Sequence, residues 1–198
     1  MDLNYKIINI FPTLIHCFDI DEFNNVKEKL IDYAYNLKNV ESDSKKLSNR
    51  GGWQSSSFIL NDEGDLVHDL LMKCLLSFPT LKKSVNFNVS AWVNINKRDD
   101  YNVKHTHPTS DLSGVLWVKC PDECGKIEFE SSLAFQTYEE IESYTEELKD
   151  EYYVDHTYYF NPKEGRILVF PSHLAHQVYK NKSDKDRISI SFNIRLNK

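Results

Sequence analysis

Arg187-Ile188-Ser189-Ile190-Ser191-Phe192-Asn193-Ile194-Arg195-Leu196 alternates polar and apolar residues without a break, and its reading decides the fold. A strict period of two marks a strand, because successive strand side chains point to opposite faces of a sheet. Ile188, Ile190, Phe192, Ile194 and Leu196 form one face, which is apolar enough to pack beneath flanking helices. Arg187, Ser189, Ser191 and Asn193 form the other. With the apolar face covered by helices, the polar face is expected to turn inward and line a hollow.

The same texture recurs upstream. Across residues 86–96, Asn88, Ser90, Trp92 and Asn94 alternate with Val89, Ala91, Val93 and Ile95. Short strands are expected at 113–120, 125–129, 165–170 and 176–179. The polar stretch 180–186 is expected to join the last two strands as a hairpin. Many short strands separated by turns predict an antiparallel sandwich or barrel. Further upstream, residues 5–18 are expected to contain a first strand. Phe23, Val26, Leu30, Ile31, Ala34 and Leu37 recur at helical spacing within 19–39, and Leu66, Leu70, Leu71, Cys74 and Leu75 do so within 66–78. Between these helices, a polar stretch leads into the loop Gly51-Gly52-Trp53-Gln54-Ser55-Ser56-Ser57. Residues 135–150 read as an acidic helical insertion with a solvated face.

A chain of 198 residues with 40% hydrophobic and 27% charged residues is most simply one globular domain. Its net charge of −6 argues against a nucleic-acid partner, because such binding depends on neutralising phosphates. Met1-Asp2-Leu3-Asn4 is charged early, unlike a signal peptide, and no apolar run is long enough to span a bilayer. A cytoplasmic location is expected, the host cytoplasm if the chain is phage-encoded. Cys17, Cys74, Cys120 and Cys124 do not form a disulfide framework. Cys120-Pro-Asp-Glu-Cys124 lacks the second pair that a structural zinc site needs, so it reads as free thiols in a turn.

The chemistry lies in histidines. His105-Thr106-His107 ends an extended segment and places two imidazoles on one face. His176, on a distant strand, is positioned to complete a triangle around one metal ion, and Asp111 is an alternative ligand. His173 and His176 are three residues apart and face opposite ways in a strand; His176 sits deeper in its strand and is preferred. His16, His68 and His156 read as structural or exposed. Arg187, with Ser189 on the same face, suits a carboxylate. Together these parts describe a metal site with an anionic co-substrate.

These residues, taken in order, resemble the double-stranded β-helix oxygenases that depend on iron(II) and 2-oxoglutarate. The closer resemblance is to the branch found widely in bacteria and tailed phages. The matching pieces are Tyr101-Asn-Val-Lys-His-Thr-His-Pro108, Leu112-Ser-Gly-Val115, Gly165-Arg-Ile-Leu-Val-Phe-Pro171, His176 and Arg187-Ile-Ser-Ile-Ser-Phe-Asn193, with Gly51-Gly-Trp-Gln-Ser55 upstream. The resemblance implies a mainly β jelly-roll (cupin-like) barrel with flanking helices, spanning 1–198 as a single domain. Its core would be 85–198, with the acidic insertion near 135–158, preceded by 1–84. It implies iron(II) held by His105, His107 and His176, and the distal carboxylate of 2-oxoglutarate held by Arg187 with Ser189. Trp53, Gln54 and Trp92 are expected to line the pocket. The usual triad of the resembling enzymes is H-x-D…H. Here His107 stands at the aspartate position, which leaves Asp111 open as the anionic ligand.

The implied reaction couples oxidative decarboxylation of 2-oxoglutarate to C–H oxidation of a small-molecule or protein substrate. Two rival readings share the spacing: a cupin metalloenzyme without 2-oxoglutarate, and a non-catalytic jelly-roll binding or accessory module. Arg187 discriminates, since a cupin has no standing need for it.

Overall fold

The structure is a computed structural model that describes residues 5–60, 65–78, 82, 84–132 and 138–197. Met1 to Asn4 and the first residues of the expected insertion, 135–137, lie outside the described residues. Elements are numbered in chain order. The larger antiparallel sheet contains β1 (His16–Asp19), β3 (Trp53–Gln54), β4 (Phe58–Ile59), β5 (Asn86–Asn96), β7 (Leu112–Lys119), β10 (Arg166–Pro171) and β12 (Arg187–Asn197). Its strands run in the order β1-β10-β7-β12-β5-β3, with β4 also on β5. The smaller sheet contains β2 (Asn49–Arg50), β6 (Tyr101–His105), β8 (Ile127–Glu130), β9 (Thr157–Phe160) and β11 (His176–Val178), in the order β2-β6-β11-β8-β9. From β5 to β12, β9 apart, successive strands alternate between the sheets, which is the winding of a double-stranded β-helix, or jelly roll.

The strand chosen from sequence is central. β12 pairs along its length with β5, Arg187 opposite Asn96 and Asn197 opposite Asn86, and on its other side with β7. Its apolar face joins those of β5, β7 and β10 beneath α1 (Asn24–Val40) and α2 (Leu66–Leu76). Leu30 and Ala34 of α1 and Val67 and Leu71 of α2 are buried against Ile188, Ile190, Phe192 and Ile194 in that layer. Asp65 caps α2 by accepting the Val67 and His68 amides, as an N-cap aspartate should. A second apolar cluster, with Val115, Trp117, Phe129, Leu168 and Phe170, fills part of the space between the sheets.

One expectation is corrected. Residues 180–186 do not make a hairpin, because β11 pairs with β6 and β8 while β12 pairs with β5 and β7. The segment instead carries the chain from one sheet to the other. Asn181, fully buried, holds the crossing: its amide donates to the Asn96 and Lys185 carbonyls at 3.0 and 2.9 Å, and its side-chain oxygen accepts the Ser183 amide. The Gly-Gly-Trp loop contains strand as well, β3 on the larger sheet, and β2 on the smaller sheet immediately precedes it. The acidic insertion is helical in two pieces, α3 (Tyr138–Glu142) and α4 (Glu146–Tyr152), followed by β9, which periodicity alone did not reveal. Among the described residues, no helix is long and apolar enough to cross a membrane.

Candidate active site

β6 ends at His105, and two residues later the His107 amide donates to the Ser172 carbonyl at 2.8 Å, tying the segment across to the start of the β10–β11 turn. β11 opens on His176, which pairs directly with His105. Adjacent strands therefore present two imidazoles side by side, and the third follows from the chain just past β6. Ring centroids lie 5.0 Å apart for His105 and His107, 4.4 Å for His105 and His176, and 5.3 Å for His107 and His176. One nitrogen from each falls within 4.8 Å of the others.

The surroundings prepare these rings as ligands. His105 Nδ1 is 2.7 Å from the Val103 carbonyl, and His176 Nδ1 is 2.9 Å from that of Leu174. A carbonyl only accepts, so each Nδ1 carries the proton and Nε2 keeps its lone pair. Burial lowers the pKa of all three. His107 falls to about 4, with His105 adding repulsion, and His176 to about 3, with His105 and His107 adding theirs. The cluster is thus neutral near neutral pH, the form that binds a metal.

Arg187 is 2% exposed and lies in the wall of the same cavity. Its Nη1 donates to the carbonyls of Cys124, Gly125 and Tyr179. Gly125 has φ of +90°, and a side chain there would strike the Tyr179 carbonyl, so only glycine lets these acceptors converge. Burial pushes the guanidinium pKa down from its ordinary value. Among the described residues no carboxylate pairs with Arg187, and none lines the cavity. Further along the inward face of β12, Ser191 accepts from Asn94 at 3.0 Å and Asn193 accepts from Ser113 at 2.8 Å. Polar groups there satisfy one another. Nε and Nη2 of Arg187 and the Ser189 hydroxyl have no such partner among the described residues, so the free donors gather at one end of the cavity. A buried, unpaired cation is costly unless an anion joins it.

The other expected residues divide. Trp92 lines the cavity, with its ring 5.9 Å from that of His107. Trp53 does not: it pairs with Ile95 on the outer face, is buried in the helix-covered core, and donates its indole N–H to the Glu41 carbonyl at 2.9 Å. Gln54 pairs with Asn94 and shares its face, but is not among the residues lining the cavity. Asp111 is also corrected: it is exposed, and its carboxylate accepts the Leu196 amide at 2.8 Å, capping the end of β12 away from the histidine cluster. His173 is exposed in a turn. Asn96, Asn102 and Ser48 line the cavity without having been singled out. The alternation of 86–96 could have pointed to Asn96, but nothing local marks the other two.

A jelly roll with an imidazole triad and a buried guanidinium in one cavity defines a metal-dependent oxygenase of the 2-oxoglutarate type. Residues 90–193 match the family described as "Putative 2OG-Fe(II) oxygenase", and the chain belongs to that family, whose cofactors are iron(II) and 2-oxoglutarate. No curated protein matches it in sequence. Solved structures share its fold. A prolyl-4-hydroxylase from Pseudomonas putida is 13% identical, with a TM-score of 0.60 over 92% of each chain. A prolyl hydroxylase from Trichoplax adhaerens, in complex with a hypoxia-inducible-factor peptide fragment, is 12% identical, with a TM-score of 0.61 over 91% of this chain and 83% of that one. HygX from Streptomyces hygroscopicus, with nickel, 2-oxoglutarate and hygromycin B bound, is 10% identical, with a TM-score of 0.59 over 92% of this chain and 83% of that one.

The residues present fit both cofactors. Three neutral nitrogen donors on one side of a cavity suit a divalent iron with open positions. The unpaired donors of Arg187 suit a carboxylate.

Proposed function

We propose that His105, His107 and His176 hold iron(II), that Arg187 with Ser189 holds the distal carboxylate of 2-oxoglutarate, and that the enzyme hydroxylates a small-molecule or protein substrate. Arg187 carries this reading: a guanidinium buried without a carboxylate partner among the described residues, in the same cavity as the imidazole cluster, calls for an anionic co-substrate. Iron(II) with 2-oxoglutarate supplies the oxidising chemistry, in which decarboxylation to succinate is coupled to C–H oxidation.

The chain's own part is placement. The Val103 and Leu174 carbonyls fix the tautomers of His105 and His176. Three carbonyls clamp Arg187 so that its remaining N–H groups face the ligand without reorganisation. Trp92 and Trp117 supply apolar wall near the metal cluster. Substrates of both kinds occur on this fold, since one neighbour holds a peptide fragment and another holds hygromycin B. The net charge of −6 argues against a nucleic-acid substrate. We place the enzyme in the cytoplasm, the host's if phage-encoded, with residues 1–198 acting as one oxygenase domain.

The test is co-substrate turnover. Anaerobically iron-loaded protein, given 2-oxoglutarate and then oxygen, should release succinate slowly even without substrate. Arg187→Ala should weaken 2-oxoglutarate binding by about thirtyfold or more, the cost of removing one partner from a buried charged pair, and leave metal binding nearly intact. Equal loss of both would make Arg187 a structural residue. Absence of succinate together with absence of 2-oxoglutarate binding would favour an accessory module.

A further inference from the structure

Behind Arg187, residues 120–124 form a tight turn between β7 and β8. The Cys124 amide donates to the Pro121 carbonyl at 3.2 Å, and Glu123 takes a φ of +57°. The turn carries Cys120 at one end and Cys124 at the other, close enough for each thiol to bear on the other's ionisation. Each end of the pair is pinned. The Cys120 amide donates to Glu164 Oε1 at 3.0 Å, and the Cys124 carbonyl accepts Arg187 Nη1. Cys120 also lines a surface cleft with Phe23, Pro162 and Glu164, which gives a small solute a route to Cys120 outside the active-site cavity.

We propose that Cys120 and Cys124 are an oxidisable dithiol whose disulfide, formed by a peroxide, disturbs the Arg187 anchor and lowers affinity for 2-oxoglutarate; the coupling to affinity rests on the role assigned to Arg187 above. The contact with Cys120, and then the Arg187 charge, hold the Cys124 thiol below its ordinary pKa, while the same contact and burial push Cys120 up. Cys120 attacks one peroxide oxygen as its proton passes to the Cys124 thiolate. The O–O bond breaks, and the departing hydroxide takes that proton from Cys124 as water. The Cys124 thiolate then attacks the sulfenic sulfur of Cys120 and expels hydroxide. Two electrons leave the sulfur pair and reduce one peroxide. Closing the S–S bond draws the sulfurs inside their non-bonded distance. With Cys120 tied to Glu164, the Cys124 carbonyl yields, and Arg187 loses an acceptor.

The experiment uses full-length apo-protein treated with hydrogen peroxide, freed of oxidant, then loaded with redox-silent nickel(II) and titrated with 2-oxoglutarate. Trypsin cuts after Lys119 and Lys126, so both cysteines fall in one peptide, 120–126. Without reductant that peptide should be lighter by the mass of two hydrogens, and affinity for 2-oxoglutarate should fall roughly tenfold, about the worth of one hydrogen bond to a charged group. Dithiothreitol should restore both. Cys120→Ser should bind 2-oxoglutarate as the reduced protein does and ignore peroxide. A peptide that stays at dithiol mass overturns the proposal, and so does a disulfide that leaves affinity unchanged. If the reduced protein itself fails to bind 2-oxoglutarate, the Arg187 assignment falls and the coupling falls with it, and the peptide mass alone decides the dithiol.

Discussion

His176 commits Nδ1 to the Leu174 carbonyl and His105 commits its own to Val103, so both rings offer Nε2 before any metal arrives. Preorganisation of this kind makes each ring hard to replace. His176→Ala should weaken nickel(II) or cobalt(II) binding by more than the about 10–100-fold that loss of a merely orienting group costs, as read by calorimetry. The burial that keeps the rings neutral also has a thermodynamic consequence. Folded His107 and His176 titrate at about 4 and about 3, against an ordinary value of 6.5. Between those values the unfolded chain binds protons that the folded chain refuses, so stability of the apo-protein falls as pH drops from 6.5 toward 4. Thermal melts across that range should show the decline, and His176→Asn should flatten it. An unchanged slope would mean that other groups set the acid limit. The residue types at this site were legible because H-x-H, a distant histidine and R-x-S stand out in a sequence. Asp111 was misplaced because a carboxylate four residues from a candidate ligand looks the same whether it turns inward or caps a strand.

At the scale of elements, β12 does two jobs with one alternation: its apolar side anchors the helices and its polar side furnishes the cavity. Phe192 lies on the covered side and is fully buried, so Phe192→Ala should cost about 3–5 kcal/mol in chemical denaturation. Gly114 crosses opposite Phe192, and an added methyl there would strike that ring and the Leu168 carbonyl. The crossing held by Asn181 is a smaller device. Asn181→Ala strands the Asn96 and Lys185 carbonyls and the Ser183 amide, and should cost about 1–3 kcal/mol and weaken 2-oxoglutarate binding through Arg187. A stability loss with affinity untouched would show that the crossing does not position the anchor. The long strands and both main helices were readable from their periods. The 180–186 segment was not, because a polar turn between two strands reads alike whether it returns beside the first or crosses to another sheet.

For the whole molecule, the cavity lies between two sheets, with His105 and His176 on the smaller and Arg187 and Ser189 on the larger. Ligands that touch both sheets stabilise the assembly by mass action. At a hundred times its dissociation constant, each should add about 2.7 kcal/mol. Melting temperature should therefore rise with nickel(II) and rise again with 2-oxoglutarate. In Arg187→Ala only the first step should survive.

By itself the sequence determined the strand alternation, the helix faces, the candidate ligands and an antiparallel sandwich or barrel, since each of these is written in local period or residue identity; the jelly roll was what the family resemblance implied. Which strands became neighbours, that Trp53 went into the helix-covered core while Trp92 faced the histidine cluster, and that Arg187 was left without a carboxylate among the described residues were decided by tertiary structure. The reason is physical: a period fixes which side chains share a face, but only the pairing of distant strands fixes what that face meets.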